Sequence, residues 1–422
     1  MKDHRLPIVF SILLILFLVL FFKSQAISWW TYSTGYRFLI IEFVLLFILK
    51  KGHKFYTEPF LFPNIFKWYI ILIIINCISC LIFRGQGLRV SILGWEGFFL
   101  IFFYPVFKSW NLSIEQWEKT LLTLFVLILI IYILLNIFPE TSLFALDKIR
   151  SEIHTEIRIR VWSDAILFLG TLFCWNKFLV VEKKWFLALY ILGVLMIFLQ
   201  GYRILVVSTF ISCVALYLRI FGFSKKTLSI SISLTVFLGV SLYLPIVQEK
   251  IEEMTNRYES EREERENTIR ALDLAYVYNN HYKNNIELVL GSGMPYLYLE
   301  LDEKDQKYYV NKSLSKYSKE MSELAAYNHF FTVDLGLIGL SWVAGIPFVL
   351  LFIYLLVRIL TTKVDPKYYY LGMYALLIML CGFTNALSYK HHNIIYLALV
   401  LVILDLAKEK YDRKRRFLRS RD

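Results

Sequence analysis

The sequence predicts an all-α, polytopic membrane protein of about twelve transmembrane helices, with one large extracytoplasmic loop between spans nine and ten. Three observations predict it. Of 422 residues, 58% are apolar and only 19% charged, too apolar for a soluble chain of this size. Apolar runs long enough to cross a hydrocarbon core of about 30 Å recur along the chain. One long interval, Pro245 to Phe330, contains a charged run (QEKIEEMTNRYESEREERENTIR) that cannot lie in lipid.

The expected spans are 6–22, 33–49, 67–83, 91–107, 119–137, 163–181, 185–201, 203–221, 227–245, 330–357, 368–387 and 390–407. Residues 1–245 thus hold the first nine and residues 330–407 the last three; 246–329 form the partly helical loop and 408–422 a basic cytoplasmic tail. The start MKDHR followed by an apolar run reads as an uncleaved first span. Lys and Arg in the short loops set orientation. With both termini inside, the basic residues concentrate on the inner side (Lys50, Lys51, Lys108, Lys183, Lys184, Lys225, Lys226 and the tail among them) and the long loop faces outside. Trp29, Trp30, Trp68, Trp110, Trp117 and Trp185 fall near span ends, as an interfacial belt requires.

The net charge of +12 calls for no nucleic acid. The tail KEKYDRKRRFLRSRD is expected against anionic headgroups of the bilayer. All five cysteines lie in expected spans, and Cys77-Ile78-Ser79-Cys80 is read as small buried residues rather than a redox pair. No HExxH, Cys/His cluster or acidic pair suggests a metal, and no Walker loop or GxGxxG suggests a nucleotide, so no cofactor is expected.

Within the long loop the charged run reads as a solvated helix. Ile269, Leu272 and Tyr276 share one stripe of a following amphipathic piece; Arg270, Asp273, Val277 and His281 share another. Gly291-Ser292-Gly293 ends the apolar piece IELVL as a turn, and Glu300 to Glu323 reads as polar and irregular.

Arginines dominate the ionisable groups near the outer surface. Arg203 sits in a tight break between two apolar spans (FLQGYRILVV), where it either lines an internal cavity or snorkels. Arg158 and Arg160, in EIRIRVW, share a face if that piece is extended, and serve as substrate contacts or interfacial anchors. Clustered guanidinium forks at headgroup depth suit a phosphate or pyrophosphate, which they bind bidentately at any relevant pH. His329 stands where the loop returns to the bilayer. An imidazole with an ordinary pKa of about 6.5 suits a general base for a sugar hydroxyl. Lys390, His391 and His392 top the last hairpin and are placed to line the same cavity.

These residues resemble the O-antigen polymerase and O-antigen ligase superfamily over roughly residues 185–350. MIFLQGYRILVVSTFISCVALYL is similar to the family's pair of spans broken at a small-x-Arg turn, with Arg203 at the arginine. TIRALDLAYVYNNHYKNNIELVLGSGMPY is similar to its loop arginine and LGxG turn, matching Arg270, Gly291 and Gly293. AAYNHFFTVDLGLIGLSWVAGI is similar to its return motif, matching Asn328, Asp334, Gly336 and Gly339. The chain departs from the pattern at Tyr327, where ligases carry His before Asn; His329 follows the Asn instead.

The resemblance implies a metal-independent glycosyltransferase of the bacterial cytoplasmic (inner) membrane. It would transfer a growing glycan from undecaprenyl pyrophosphate onto a lipid-linked repeat unit of O-antigen, capsule or exopolysaccharide. His329, Arg270 and Arg203 would be catalytic. Arg158, Arg160, Asn328, Gly291, Gly293, His281, Lys390 and His391 would bind the undecaprenyl-pyrophosphate-linked oligosaccharide. A chain-length-regulating co-polymerase and a flippase would be partners. A ligase of the same superfamily and a lipid-linked oligosaccharide flippase or transporter are the alternatives.

Overall fold

The structure, a computed structural model, describes residues 8–9, 12, 15, 61–137, 146–150, 157–161, 165–200, 203–222, 279, 285–302, 307–327, 335–382 and 393–419. These residues are mostly helical. The expected spans 33–49 and 227–245, and nearly all of 6–22, lie outside them, as does the charged run of the loop.

The described bundle opens with α1 (Pro63–Arg84). Proline suits the first helical position, where no N–H partner exists to lose, and Gly85 in the left-handed region (φ 60°) ends the helix. Next come α2 (Leu88–Gly94) and, after a 63° bend, α3 (Glu96–Phe99), a 3₁₀ turn (Leu100–Phe102) and α4 (Phe103–Ser109). Then follow α5 (Ile114–Ile137), the β1–β2 hairpin (Leu146–Arg150, Ile157–Val161), α6 (Ala165–Val181), α7 (Lys184–Leu199) and α8 (Arg203–Phe221). Beyond the undescribed part of the loop lie α9 (Asn285–Leu290), the β3–β4 hairpin (Leu299–Asp302, Lys307–Val310) and α10 (Lys316–Tyr327). The chain closes with α11 (Gly336–Ala344), α12 (Ile346–Thr361), α13 (Tyr369–Gly382) and α14 (Ile394–Arg419).

Among the described residues, three helices are long and apolar enough to cross a membrane: Pro63–Arg84, Ile114–Leu134 and Ile204–Phe221. A fourth crossing results if the bent pair Leu88–Gly94 and Glu96–Ser109 counts as one. Ala165–Val181, Lys184–Leu199 and Ile346–Thr361 are apolar but shorter. Outward apolar faces fit the same reading. Ile74, Ile78, Leu81 and Ile82 of α1 and Ile346, Leu350, Tyr354 and Val357 of α12 are exposed, the latter at helical spacing. In water such stripes would favour association; in lipid they are the solvated face.

Side-chain contacts fix which helix ends meet. At one end, Lys108 of α4 pairs with Asp405 (2.6 Å) and Glu409 (3.1 Å) of α14, and the Leu61 N–H donates to the Tyr104 hydroxyl. Lys177 at the close of α6 pairs with Glu118 at the start of α5 (2.7 Å), and the Tyr370 hydroxyl donates to the same carboxylate. Arg219, late in α8, donates to the Leu360 carbonyl, and Asn176 donates to the Pro366 carbonyl. The end of α4, start of α5, end of α6, end of α8, end of α12, start of α13 and the basic half of α14 therefore share one face. These are the ends that the Lys/Arg distribution assigns to the inner side. At the opposite end, Gln200 donates to the Tyr132 hydroxyl, and Gly382 closes α13 against Leu337 of α11.

Several elements differ from expectation. The fold is not purely α, because two antiparallel hairpins accompany the helices. The piece 300–323, expected to be irregular, contains most of one hairpin and the start of α10. The span expected over 330–357 is broken at Gly345 (φ 87°, ψ 154°), and the span expected over 91–107 is bent at Trp95. A hydropathy window records composition and is blind to a backbone break within an apolar run. The tail continues α14 as helix to Arg419 rather than starting a separate segment.

Candidate functional site

The loop segment after α9 does not stay on the surface. It is threaded into the opposite end of the bundle from the basic one, between α1, the α2–α3 bend, the α11–α12 break and α10. Glycines make the passage possible. A Cβ on Gly291 would stand 2.5 Å from the Gly345 nitrogen, and one on Gly293 only 2.1 Å from the Cys80 Cβ. Both also have positive φ, 85° and 97°. On the facing side, a Cβ on Gly345 would stand 2.5 Å from the Val289 carbonyl, and one on Gly94 2.6 Å from the Met294 carbonyl. Two backbones approach closely only because no side chain intervenes.

The broken helix supplies the hydrogen bonds. Ser292 and Gly293 donate their N–H groups to the carbonyls of Trp342 (2.8 Å) and Val343 (3.0 Å). The break at Gly345 leaves carbonyls at the end of α11 without helical partners, and the inserted segment takes them up. Asn76, fully buried in α1, joins the parts. Its amide donates to the Leu290 (3.0 Å) and Val343 (2.8 Å) carbonyls, while its oxygen accepts from the Trp95 indole (3.1 Å). Ser79 donates to the Gly291 carbonyl. Gln86 donates to the Met294 carbonyl and accepts from Ser315 and Ser318 of the α10 region.

An ion pair lies beside this seat. Arg84, at the end of α1, meets Glu287 of α9 at 2.7 Å, with side chains 7% and 0% exposed. The Arg84 guanidinium sits 5.3 Å from the centre of the Tyr317 ring. The Tyr317 hydroxyl donates to the Gly293 carbonyl (2.9 Å) and lies 3.1 Å from the Ser292 hydroxyl. Burial pushes the Tyr317 phenol well above its ordinary range, so it remains a protonated donor.

Of the predicted site residues, Gly291 and Gly293 are in this seat, where packing requires glycine. Arg203 is the first residue of α8, next to the α7 end where Gln200 meets Tyr132, on the bundle end opposite the basic one. Arg158 and Arg160 lie on β2, registered against Ile149 and Asp147. They stand two apart on an extended strand and so share a face, as expected. Arg270, His281, Asn328, His329, Lys390 and His391 lie outside the described residues, as do Asp334 and His392. Among the described residues, no three His, Cys, Asp or Glu side chains gather as metal ligands.

Sequence reasoning missed Arg84, Glu287, Tyr317, Asn76 and Gln86. A signal was present: Asn76 stands within an otherwise apolar run, and Glu287 is the one acid in IELVL. What neither position discloses is its partner, more than 200 residues away. No family model matches the chain, and no curated protein matches it.

Proposed function

We propose that this chain is a membrane glycosyltransferase that polymerises a bacterial surface polysaccharide from undecaprenyl-pyrophosphate-linked repeat units. The observation that carries the reading is an order of motifs: the Arg203 turn, then Arg270, then Gly291-Ser292-Gly293, then Asn328-His329 with Asp334-x-Gly336, spread around one long polar segment in an apolar chain. The apolar helices with lipid-suited faces support a membrane setting, and the outward end of α8 suits an arginine at headgroup depth. We place the chain in the cytoplasmic membrane with twelve spans, both termini in the cytoplasm and the long segment outside.

In the reaction, the bond from the anomeric carbon of the growing glycan to its pyrophosphate oxygen breaks. A new bond forms from that carbon to a hydroxyl of the incoming lipid-linked unit. Arg203 and Arg270 neutralise the departing pyrophosphate, and His329 takes the proton from the acceptor hydroxyl. Arg158 and Arg160, on one face of a strand, supply further anion contacts.

Deleting the gene in its host tests the class of reaction. Loss of a polymerase leaves surface acceptors with a single repeat unit. Long chains stranded on the lipid carrier would indicate a ligase, and absence of any surface repeat would indicate a flippase; either overturns the proposal. Complementation with Arg203→Ala, Arg270→Ala or His329→Ala is expected to lower polymerisation by at least about 100-fold each. Full-length glycan from all three would overturn the residue assignment.

A further inference from the structure

The orientation of α9 runs against its own composition. In the sequence IELVL, the apolar Ile286 and Val289 are exposed at 60% and 46%, while the acidic Glu287 is fully buried. Apolar burial alone would turn this helix the other way. A bilayer boundary at this end would make the arrangement consistent: Ile286 and Val289 would face lipid, with Glu287 drawn inward by Arg84. Beside the packing of Met294, Tyr296 and Leu297, what turns α9 this way and seats the segment is therefore polar. It is the Arg84–Glu287 pair, the backbone bonds to Trp342 and Val343, the Asn76 amide and the Tyr317 hydroxyl.

We propose that residues 285–298 are a strap latched into the bundle by Glu287 on Arg84, with the two acting as positioning residues that hold the extracytoplasmic segment to the membrane helices. The strap seals the slot between α1 and the α11–α12 break. Cys80 forms its floor: the thiol is fully buried, and the place where a Gly293 side chain would begin is within 2.2 Å of its sulfur. Breaking the pair takes from one desolvated charge its partner at 2.7 Å. Opening of the strap then becomes more frequent, because it hydrates that charge, while the backbone bonds to Trp342 and Val343 and the packing of Tyr296 and Leu297 still favour the seated state. Arg84 ends an apolar helix and Glu287 lies in the long segment, so the latch ties that segment to the bundle. Its consequence for glycan assembly rests on the function proposed above.

Cys80 provides the readout. In the full-length chain with Cys77, Cys174, Cys213 and Cys381 replaced by alanine, cells stripped of their outer layers are treated with a membrane-impermeant maleimide. Cys80 is expected to label slowly in the otherwise native chain. Labelling is expected to rise by about tenfold or more in Glu287→Gln and in Arg84→Gln. It returns toward the native rate in the exchanged pair Arg84→Glu with Glu287→Arg, a rescue that simple loss of packing would not give. Tyr317→Phe keeps the ring against Arg84 and removes the hydroxyl that bonds Gly293 and Ser292; a rise of about threefold is expected there.

Equal labelling in the native and Glu287→Gln chains overturns the latch. If Glu287→Gln does not accumulate, Tyr317→Phe decides, and unchanged labelling overturns it. Surface glycan length in the same cells separates the latch from the function. Cys80 exposed together with lost polymerisation supports both. Cys80 exposed with full-length glycan supports the latch and overturns the role of this segment in polymerisation.

Discussion

Replacing Gly293 with alanine is expected to destabilise the fold by about 4 kcal/mol, enough to abolish most folded protein. Two costs add. The new Cβ would lie 2.1 Å from the Cys80 Cβ and 3.0 Å from its Cα, so α1 or the strap must shift. The backbone at φ 97° also disfavours any L side chain. Gly85 is the internal control, because it shares positive φ (60°) but has open space around its Cβ. Gly85→Ala carries only the backbone cost, about 1 kcal/mol. Equilibrium unfolding of the purified chain in detergent distinguishes the two. Similar losses at both positions would show that the close approach to Cys80 contributes nothing.

At the basic end, Glu118→Ala is expected to cost about 3–5 kcal/mol. Lys177 lies 2.7 Å from that carboxylate, with 9% of its side chain exposed, and Tyr370 donates to it as well. Removing the carboxylate leaves a largely desolvated ammonium and a buried hydroxyl without their acceptor. The double replacement Glu118→Leu with Lys177→Met removes both charges and is expected to recover most of the loss. A double-mutant cycle on unfolding measures the coupling. Additive losses would mean that the pair is hydrated and contributes little.

The two ends of the bundle illustrate how polar groups are handled differently. At the basic end, acids meet lysines from neighbouring helix termini, close to where water would begin. At the other end, backbone meets backbone through glycine, side-chain amides fill further bonds, and one arginine–carboxylate pair is enclosed beside them. The first arrangement holds helix ends together; the second admits a loop segment among helices. Both satisfy the same requirement, that buried donors and acceptors find partners.

Composition and apolar run length determined much of this protein by themselves. They gave the helical class, the apolar helices suited to a membrane, and a grouping of helix ends by their lysines and arginines that side-chain pairs such as Lys108–Asp405 and Lys177–Glu118 reproduce. These properties are local, because each window of about 20 residues carries its own solvation free energy. That Arg158 and Arg160 share a face was legible only on the condition that the piece is extended; its pairing as a strand with Leu146–Arg150 came from the fold. Tertiary structure alone decided the rest. Gly291-Ser292-Gly293 is only a turn signal in the sequence, and its burial against Gly345 and Cys80 follows from a helix break that hydropathy does not register. Arg84 and Glu287 are an ordinary helix-end cation and a lone acid until the fold brings them to 2.7 Å. A buried ion pair exists only as a pair, so neither residue carries its meaning alone.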